Sequence, residues 1–240
     1  MDGVEGDVQT NAGTRSLNPM TMLHDLSMSP GISHEILAQL RNVELQSDRA
    51  RFRKNLARMG ECMGYEIAKT LRFESGVVHT PLGPANVRKL QNPPVLGTIL
   101  RAGLPMHDGL SRVFDQADHA FVSACREYAD EDHEKFSIGI GAASSPSLEN
   151  RTLILADPML ATGASLEQVL ALMVERFGTP TQIHVAAVIA SKEGVERILK
   201  VLPKNAHLWV GEIDAVLTSK GYIHPGLGDA GDLAYGPKMN

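Results

Sequence analysis

Between residues 48 and 70, apolar and charged residues alternate with the period of an α-helix. The apolar positions that recur every three or four residues are Phe52, Leu56, Met59, Met63 and Ile67. Because residues three and four apart share one side of a helix, this pattern predicts a long amphipathic helix. We interpret its apolar stripe as core or subunit interface, and the arginines between these positions as a solvent-exposed face.

A different pattern follows, in which short apolar segments are separated mostly by stretches long enough for a helix. The segments are VLGTIL, AFVSAC, TLILAD, QIHVAAVIA and HLWVGEI, beginning at residues 95, 120, 152, 182 and 207. Such runs are typical of buried strands in a mostly parallel sheet. Helical patterns near 105–115, 163–177 and 194–202 supply the connections. The sequence therefore predicts an α/β fold, in which an N-terminal helical region precedes a mostly parallel central sheet flanked by helices.

Two stretches depart from this order. Between residues 126 and 150, the alternating segment KFSIGIG lies between the charged EYADEDHEK and the loop AASSPSLEN, which predicts a β-hairpin flap. Residues 1–17 are polar, acidic and glycine-containing, so we expect a disordered tail. The remainder, residues 18–240, is expected to form a single domain.

Composition excludes several classes of protein. A chain of 240 residues with 43% hydrophobic content can build a sizeable core, and its net charge of −5 provides no global attraction for nucleic acid or anionic membranes. The two cysteines form no CxxC or Cys/His ligand cluster, which fits a reducing compartment. No apolar stretch approaches the roughly 20 residues of a membrane span, and the first residues lack the pattern of a secretory signal. We expect a cytoplasmic protein without nucleic-acid or membrane partners.

The first candidate for chemistry is DPMLATGAS, residues 157–165, at the junction between the segment TLILAD and the next helix. In open α/β sheets, ligands bind outside the carboxyl ends of the strands. The small residues of this loop would let backbone amides approach a phosphate, and Asp157 could accept hydrogen bonds from sugar hydroxyls. The loop lacks the lysine of a nucleoside triphosphate P-loop, and it also lacks the GxGxxG of a dinucleotide-binding fold. The pattern favours a phosphorylated sugar.

On their own, a Thr-Gly pair and a nearby Asp favour a simpler interpretation, namely a helix cap and the end of a strand. Two further segments change that balance. GTILRAGLPMHDGL places Arg101 and Gly103 after another predicted strand, and YIHPGLGDAGDLAYG groups glycines around Asp229 and Asp232. Three segments distant in sequence thus carry candidate ligand-binding residues.

Taken together, RFRKNLARMG, YEIAK, ILRAGL, DPMLATG and YIHPGLGDAGD make the chain resemble the uracil phosphoribosyltransferases over residues 45–237. The resemblance implies a phosphoribosyltransferase-type enzyme of pyrimidine salvage, which joins uracil to 5-phosphoribosyl-1-pyrophosphate (PRPP) and yields UMP and pyrophosphate. It implies Mg²⁺ bound mainly through the substrate, with no protein metal site. It also implies a homodimer or higher homo-oligomer, and it leaves activation by GTP open.

By position, the family's roles fall on the same three segments, with the uracil-binding segment spanning about 214–240. The catalytic residues implied are Arg101 and Asp229. The PRPP-binding residues implied are Arg101, Arg126, Asp157, Pro158, Met159, Leu160, Ala161, Thr162, Gly163, Ala164, Ser165 and Asp229. The uracil-binding residues implied are Ile223, Gly228, Asp229 and Ala230. Ala164 stands where the family commonly has Gly, which we expect to be harmless if its backbone is right-handed helical.

The chemistry implied needs no protein nucleophile, because arginines can stabilise the departing pyrophosphate while the positioned base captures the ribose carbon. We expect main-chain groups of the glycine-rich turn to distinguish uracil from cytosine. His107 and Asp108 are adjacent on a predicted helix and point apart, so we interpret them as structural or surface residues. Two alternatives remain: a nucleotide-sensing RNA-binding regulator on the same fold, which the acidic charge disfavours, and a phosphoribosyltransferase for another base.

Overall fold

A computed structural model describes the chain over residues 22–128 and 136–238, with side chains described except at 125–128 and 136–138. The tail expected at residues 1–17 lies outside the described residues, as does the centre of the expected flap at 129–135. Within the described ranges, no helix has both the length and the apolar character needed to cross a membrane.

Strands and helices follow one another along the described chain. The strands are β1 (Met22–Asp25), β2 (Phe73–Thr80), β3 (Gly83–Leu90), β4 (Val95–Leu100), β5 (Asp118–Tyr128), β6 (Phe136–Ser144), β7 (Thr152–Ala156), β8 (Met159–Leu160), β9 (Gln182–Ser191), β10 (His207–Asp214), β11 (Val216–Leu217) and β12 (Ile223–His224). The helices are α1 (Ile32–Arg41), α2 (Val43–Gln46), α3 (Arg49–Ala68), α4 (Leu104–Val113), α5 (Ala164–Phe177), α6 (Lys192–Val201) and α7 (Ala230–Tyr235).

The main sheet of the described chain is eight-stranded, with the order β1-β10-β9-β7-β4-β5-β6 and with β8 also paired to β9. Its neighbours are parallel except for β5 and β6, which are antiparallel. All five strands predicted from sequence, β4, β5, β7, β9 and β10, lie in this sheet, which confirms the mostly parallel α/β fold. The β5–β6 pair confirms a hairpin where one was expected. Its action as a flap stays a prediction.

Helices cover both faces of the sheet. Successive side chains of a strand point to opposite faces, so neighbouring residues pack against different helices. Ile154 of β7 packs into a cluster with residues of α1, α3, α4 and α7. Leu155, the next residue, packs into a second cluster with Val169 of α5 and Ile198 of α6. Strands buried on both faces explain the continuous apolar runs in the sequence.

Helix α3 confirms the long amphipathic helix. All five residues of its predicted stripe are buried, Phe52 at 1% exposure and the other four at 0%. Asp48 caps the helix, because its carboxylate accepts a hydrogen bond from the Arg51 N–H at 3.0 Å. The stripe is therefore core.

Several elements of the structure were not predicted individually, among them the short elements α2, β8, β11, β12 and α7. The hairpin β2–β3 forms its own two-stranded sheet, and its residues are half-buried or exposed, none fully buried. Strand β1 is a four-residue edge strand paired with β10. Helix α1 buries only Ile36, Leu37 and Leu40. Burial imposes only a weak pattern on the hairpin and on β1, because their side chains are half-buried or exposed.

Candidate active site

A cleft of about 550 Å³ lies at the carboxyl ends of β4 and β7. The predicted site residues that line it are Arg101, Asp157, Met159, Ala161, Ser165, Gly228, Asp229 and Ala230. The fold thus brings three segments distant in sequence to one edge of the sheet, where ligands of α/β proteins bind. Further lining residues, to which no ligand role was assigned from sequence, are Ile99, Leu100, Ala102, Ala124, Gly221, Tyr222, Gly231, Asp232 and Lys238.

The loop that follows β7 is attached to β9 by main-chain hydrogen bonds. The Asp157 N–H donates to the Ala186 carbonyl at 3.1 Å, and the Pro158 carbonyl accepts from Val188 and Ile189 at 3.1 Å each. The hydroxyl of Ser191, which is buried, donates to the Ala161 carbonyl at 2.6 Å. Pro158 and Leu160 are buried in this loop, outside the residues that line the cleft. The sheet therefore fixes the position of Asp157.

Helix α5 begins at the cleft with an open N-terminus. Its N-cap, Gly163, has a φ of 78° and makes no side-chain capping bond. A left-handed residue is needed here, which favours glycine. The Thr162 hydroxyl accepts from the Ala164 N–H at 3.3 Å, and the remaining N–H groups of a first turn have no partner within the helix. Ala164 is the first helical residue, so its methyl group is compatible with the backbone, as expected.

Arg101 leaves β4 and reaches across the cleft to the C-terminal segment. One terminal nitrogen, Nη2, donates to Asp232 Oδ1 at 3.0 Å and to the Gly236 carbonyl at 3.3 Å. Its Nε is buried without a hydrogen-bond partner in the described chain. The Leu100–Arg101 peptide bond is cis. The guanidinium is thus shared between a carboxylate and a carbonyl, and an anion bound in the cleft would compete for it.

The glycine-rich turn after β12 forms the other wall. Gly226 and Gly228 have φ angles of 61° and 89°, and the His224–Pro225 peptide bond is cis. Asp229 Oδ1 accepts from the Asp232 N–H at 2.9 Å and so caps α7. Ile223 is 4% exposed, packs in the core and is not among the residues that line the cleft.

Two remaining candidates have different outcomes. Arg126 lies in β5 opposite Ile138, and its side chain is outside the described residues. His107 is buried, with Nε2 3.0 Å from Nδ1 of His119. Burial and the neighbouring His119 lower the pKa of His107, while the exposed Asp108 pairs with Arg112. His107 and Asp108 form no dyad, as their adjacency on a helix predicted.

No cluster of three or more His, Cys, Asp or Glu side chains suited to a metal ion occurs among the described residues. The cleft does contain three carboxylates, Asp157, Asp229 and Asp232. Mg²⁺ keeps several waters and is commonly bound through one or two carboxylates together with substrate phosphates. These carboxylates therefore fit a magnesium ion that arrives with a phosphorylated substrate.

A parallel sheet with a loop and an open helix N-terminus at its carboxyl edge places the chain among the α/β proteins that bind phosphorylated ligands at the strand ends. The family model described as uracil phosphoribosyltransferase matches residues 28–237. The chain belongs to the uracil phosphoribosyltransferase family.

Individual relatives agree with this assignment. A uracil phosphoribosyltransferase of Porphyromonas gingivalis is 44% identical over 220 residues, covering 92% of this chain and 100% of the relative. That of Pyrococcus furiosus is 42% identical over 205 residues, covering 84% of this chain and 85% of the relative. A solved structure of an Aquifex aeolicus protein has a TM-score of 0.78 at 29% identity, covering 91% of this chain and 100% of that one. Nothing among these relatives supports an RNA-binding regulator.

Proposed function

We propose that this chain transfers the 5-phosphoribosyl group of PRPP to uracil, giving UMP and pyrophosphate. The bond between C1′ of the ribose and the pyrophosphate oxygen breaks, N1 of uracil bonds to C1′, and the N1 proton is lost. The observation that carries the proposal is the meeting of the Arg101 loop, the loop at 157–165 and the glycine-rich turn in one cleft of a chain of this family.

The phosphoribosyl group would occupy the loop after β7. First-turn amides of α5 face an anion favourably, and the hydroxyls of Thr162 and Ser165 add donors. The 5′-phosphate is therefore assigned to this loop, and the ribose hydroxyls to the carboxylate of Asp157. Anchoring of the loop on β9 supports this role, because transfer depends on holding C1′ within reach of the base.

The pyrophosphate would lie against Arg101, whose guanidinium stabilises the negative charge that develops on the leaving group. Arg126 is proposed as a second positive charge for the same group. When Mg²⁺ is bound with PRPP, Asp157 and Asp229 would hold it, and it would neutralise part of the pyrophosphate charge. Asp229 is proposed mainly to orient the phosphoribosyl substrate, since one of its oxygens already caps α7.

Uracil would be read by main-chain groups of the glycine-rich turn around Ile223 and from Gly228 to Ala230. Uracil presents O4 as an acceptor and N3–H as a donor, whereas cytosine reverses both. A main-chain N–H and C=O that pair with uracil would be left unpaired by cytosine, which disfavours the wrong base by orders of magnitude. Gly228, Asp229 and Ala230 line the cleft, which supports a role for this part of the turn.

A panel of bases tests the proposal. Purified protein is given PRPP, Mg²⁺ and one of uracil, cytosine, adenine, guanine or hypoxanthine, and pyrophosphate release and nucleotide product are measured. We expect UMP from uracil and little product from the other bases. Preference for another base would overturn the assignment of uracil. Salt-dependent RNA binding without transfer to any base would favour the regulator instead.

A further inference from the structure

The end of α1 and the end of β10 are joined by a two-bond ion pair. Arg41 Nη1 lies 2.9 Å from Asp214 Oδ2, and Arg41 Nη2 lies 2.8 Å from Asp214 Oδ1. The Asp214 side chain is only 5% exposed and that of Arg41 19%. A carboxylate buried to this extent needs its partner, because an uncompensated buried charge is strongly unfavourable.

Both members of the pair also hold the backbone of Gly226. The Gly226 carbonyl accepts from Arg41 Nη1 at 3.0 Å, and the Gly226 N–H donates to Asp214 Oδ2 at 3.0 Å. The next carbonyl, that of Leu227, accepts from Gln46 Nε2 at 3.2 Å. Gln46 Nε2 also donates to the Leu40 carbonyl at 3.0 Å. Arg41 and Gln46 of the N-terminal helices, together with Asp214, therefore hold two consecutive residues of the glycine-rich turn by hydrogen bonds.

Gly226 and Leu227 directly precede the part of the turn that lines the cleft, which is Gly228, Asp229 and Ala230. On the far side, Asp229 is fixed by its capping bond to Asp232. Gly226 and Gly228 are both glycines at positive φ, and glycine backbones are the least restricted in the absence of external contacts. Main-chain recognition requires its groups to be held within about 0.5 Å of their working positions.

We infer that Arg41 and Asp214, assisted by Gln46, are positioning residues for base recognition, because they set the main-chain groups that would read the uracil edge. The inference rests on the proposed function. It assigns these residues no contact with substrate. Removing these hydrogen bonds should therefore weaken uracil binding selectively, whereas a general loss of structure would weaken the binding of both substrates.

A double variant, Arg41→Met/Asp214→Leu, separates positioning from stability. Replacing a buried ion pair by apolar residues of similar volume is often neutral for folding, whereas removing one partner is not. We expect a cooperative melt close to that of the wild type and a smaller change in the KM for PRPP than in that for uracil, because Asp229 keeps its capping bond to Asp232. The KM for uracil should rise roughly ten- to a hundredfold, the range expected for misplaced substrate contacts, and preference for uracil over cytosine should fall.

Arg151→Met is the matched control. Arg151 likewise binds a carboxylate, Asp118 at 3.0 Å, and a carbonyl, that of Pro93 at 3.2 Å, but at the opposite edge of the sheet, where β5 and β7 begin. We expect no change in the KM for uracil. Amide hydrogen exchange supplies a readout independent of activity, since the Gly226 amide should lose protection in the double variant alone.

The outcomes are distinguishable. If the wild type makes no UMP from uracil, the proposed function fails and this inference with it. If the wild type is active but the double variant keeps its KM for uracil, or raises the KM of both substrates equally, only the inference is overturned. Should the double variant not fold, Gln46→Leu decides: it removes only the bonds to Leu40 and Leu227, and a KM for uracil within twofold of the wild type would overturn the inference.

Discussion

Arg101 and Asp232 meet across the cleft, with Nη2 of the arginine 3.0 Å from Oδ1 of the aspartate. The contact links the loop after β4 to the first turn of α7. Both side chains are 39% exposed, so solvent screens the pair and its net contribution to stability is small. A bound pyrophosphate carries more charge than one carboxylate and can take over the guanidinium. Asp232 is therefore placed to hold Arg101 in position in the absence of substrate.

Asp232→Asn should strengthen inhibition by pyrophosphate, because Arg101 would lose the carboxylate that competes for it. An exposed ion pair is worth about 0.2 to 1 kcal/mol, so the inhibition constant should fall by no more than about fivefold. Asp108→Asn is the control, since Asp108 pairs with Arg112 away from the cleft. Unchanged or weaker inhibition in Asp232→Asn would argue against competition for Arg101.

Arg101→Ala should depress transfer strongly, since the variant lacks the charge proposed to face the leaving group. Losing one charge-stabilising donor typically costs about 2 to 4 kcal/mol of transition-state stabilisation. Steady-state kcat/KM with PRPP measures this loss, and inhibition by pyrophosphate should weaken in parallel. For Arg126→Ala we expect a smaller effect. If pyrophosphate inhibited both variants with wild-type potency, the leaving-group assignment would be wrong.

Asp157→Asn should raise the KM for PRPP and lower kcat/KM, because an amide accepts fewer hydrogen bonds and lacks the charge that complements ribose hydroxyls and metal. The fold should survive, since the bonds that tie the 157–161 loop to β9 use its main chain and the Ser191 hydroxyl. Kinetics and a melting curve check both statements. A variant that melts normally with unchanged kcat/KM for PRPP would remove Asp157 from the site.

Gly163→Ala and Ala164→Gly form a matched pair at the start of α5. A methyl group at position 163 would lie 3.1 Å from Ile198 Cγ1, which would have to give way, and it would put a side chain on a strained left-handed backbone. Left-handed conformations cost a non-glycine residue about 1 to 2 kcal/mol. We expect weaker PRPP use in Gly163→Ala and nearly wild-type kinetics in Ala164→Gly. Equal effects of the two variants would contradict the proposed phosphate loop.

His184 should make the protein less stable in acid. It is fully buried, its Nδ1 accepts from Trp209 Nε1 at 3.1 Å, and burial followed by the neighbouring His207 and His24 lowers its pKa from 6.5 to about 3. Below the unfolded pKa of 6.5, the unfolded chain binds a proton that the folded chain excludes until pH about 3. Stability is therefore retained above the unfolded pKa and lost as pH falls.

His184→Asn tests this linkage, because the amide oxygen can still accept from Trp209 but the side chain does not titrate. Urea unfolding between pH 4 and 8 gives the free energy of unfolding at each pH. Each excluded proton contributes about 1.4 kcal/mol per pH unit, so the acid slope of the variant should be smaller by up to that amount. His24 and His207 also have pKa values lowered by burial and should maintain part of the slope. Identical slopes would exclude His184 as a contributor.

The sequence alone determined the longest helix and the central strands of the sheet. Burial of one face of α3 imposes a helical period on its sequence, and burial of both faces of β4, β7, β9 and β10 gives continuous apolar runs. Both patterns are visible in the sequence alone. The loop at 157–165 was found in the same way, since a strand end, small residues and a helix start are neighbours in the chain. The hairpin β2–β3 was missed because its residues are at most half-buried, so burial imposes only a weak apolar pattern on them.

Tertiary structure decided which distant residues meet. Arg101 and Asp232 are 131 residues apart, and Arg41 and Asp214 are 173 apart. No local pattern relates such partners, because their meeting depends on the order of strands in the sheet and on the helices that pack against it. Asp232 was singled out from sequence without a partner, and Arg41 and Asp214 were assigned no site role. In the folded chain, the strand ends meet at one edge of the sheet. Asp232 therefore lines the cleft, and Arg41 and Asp214 hydrogen-bond to the glycine-rich turn beside it.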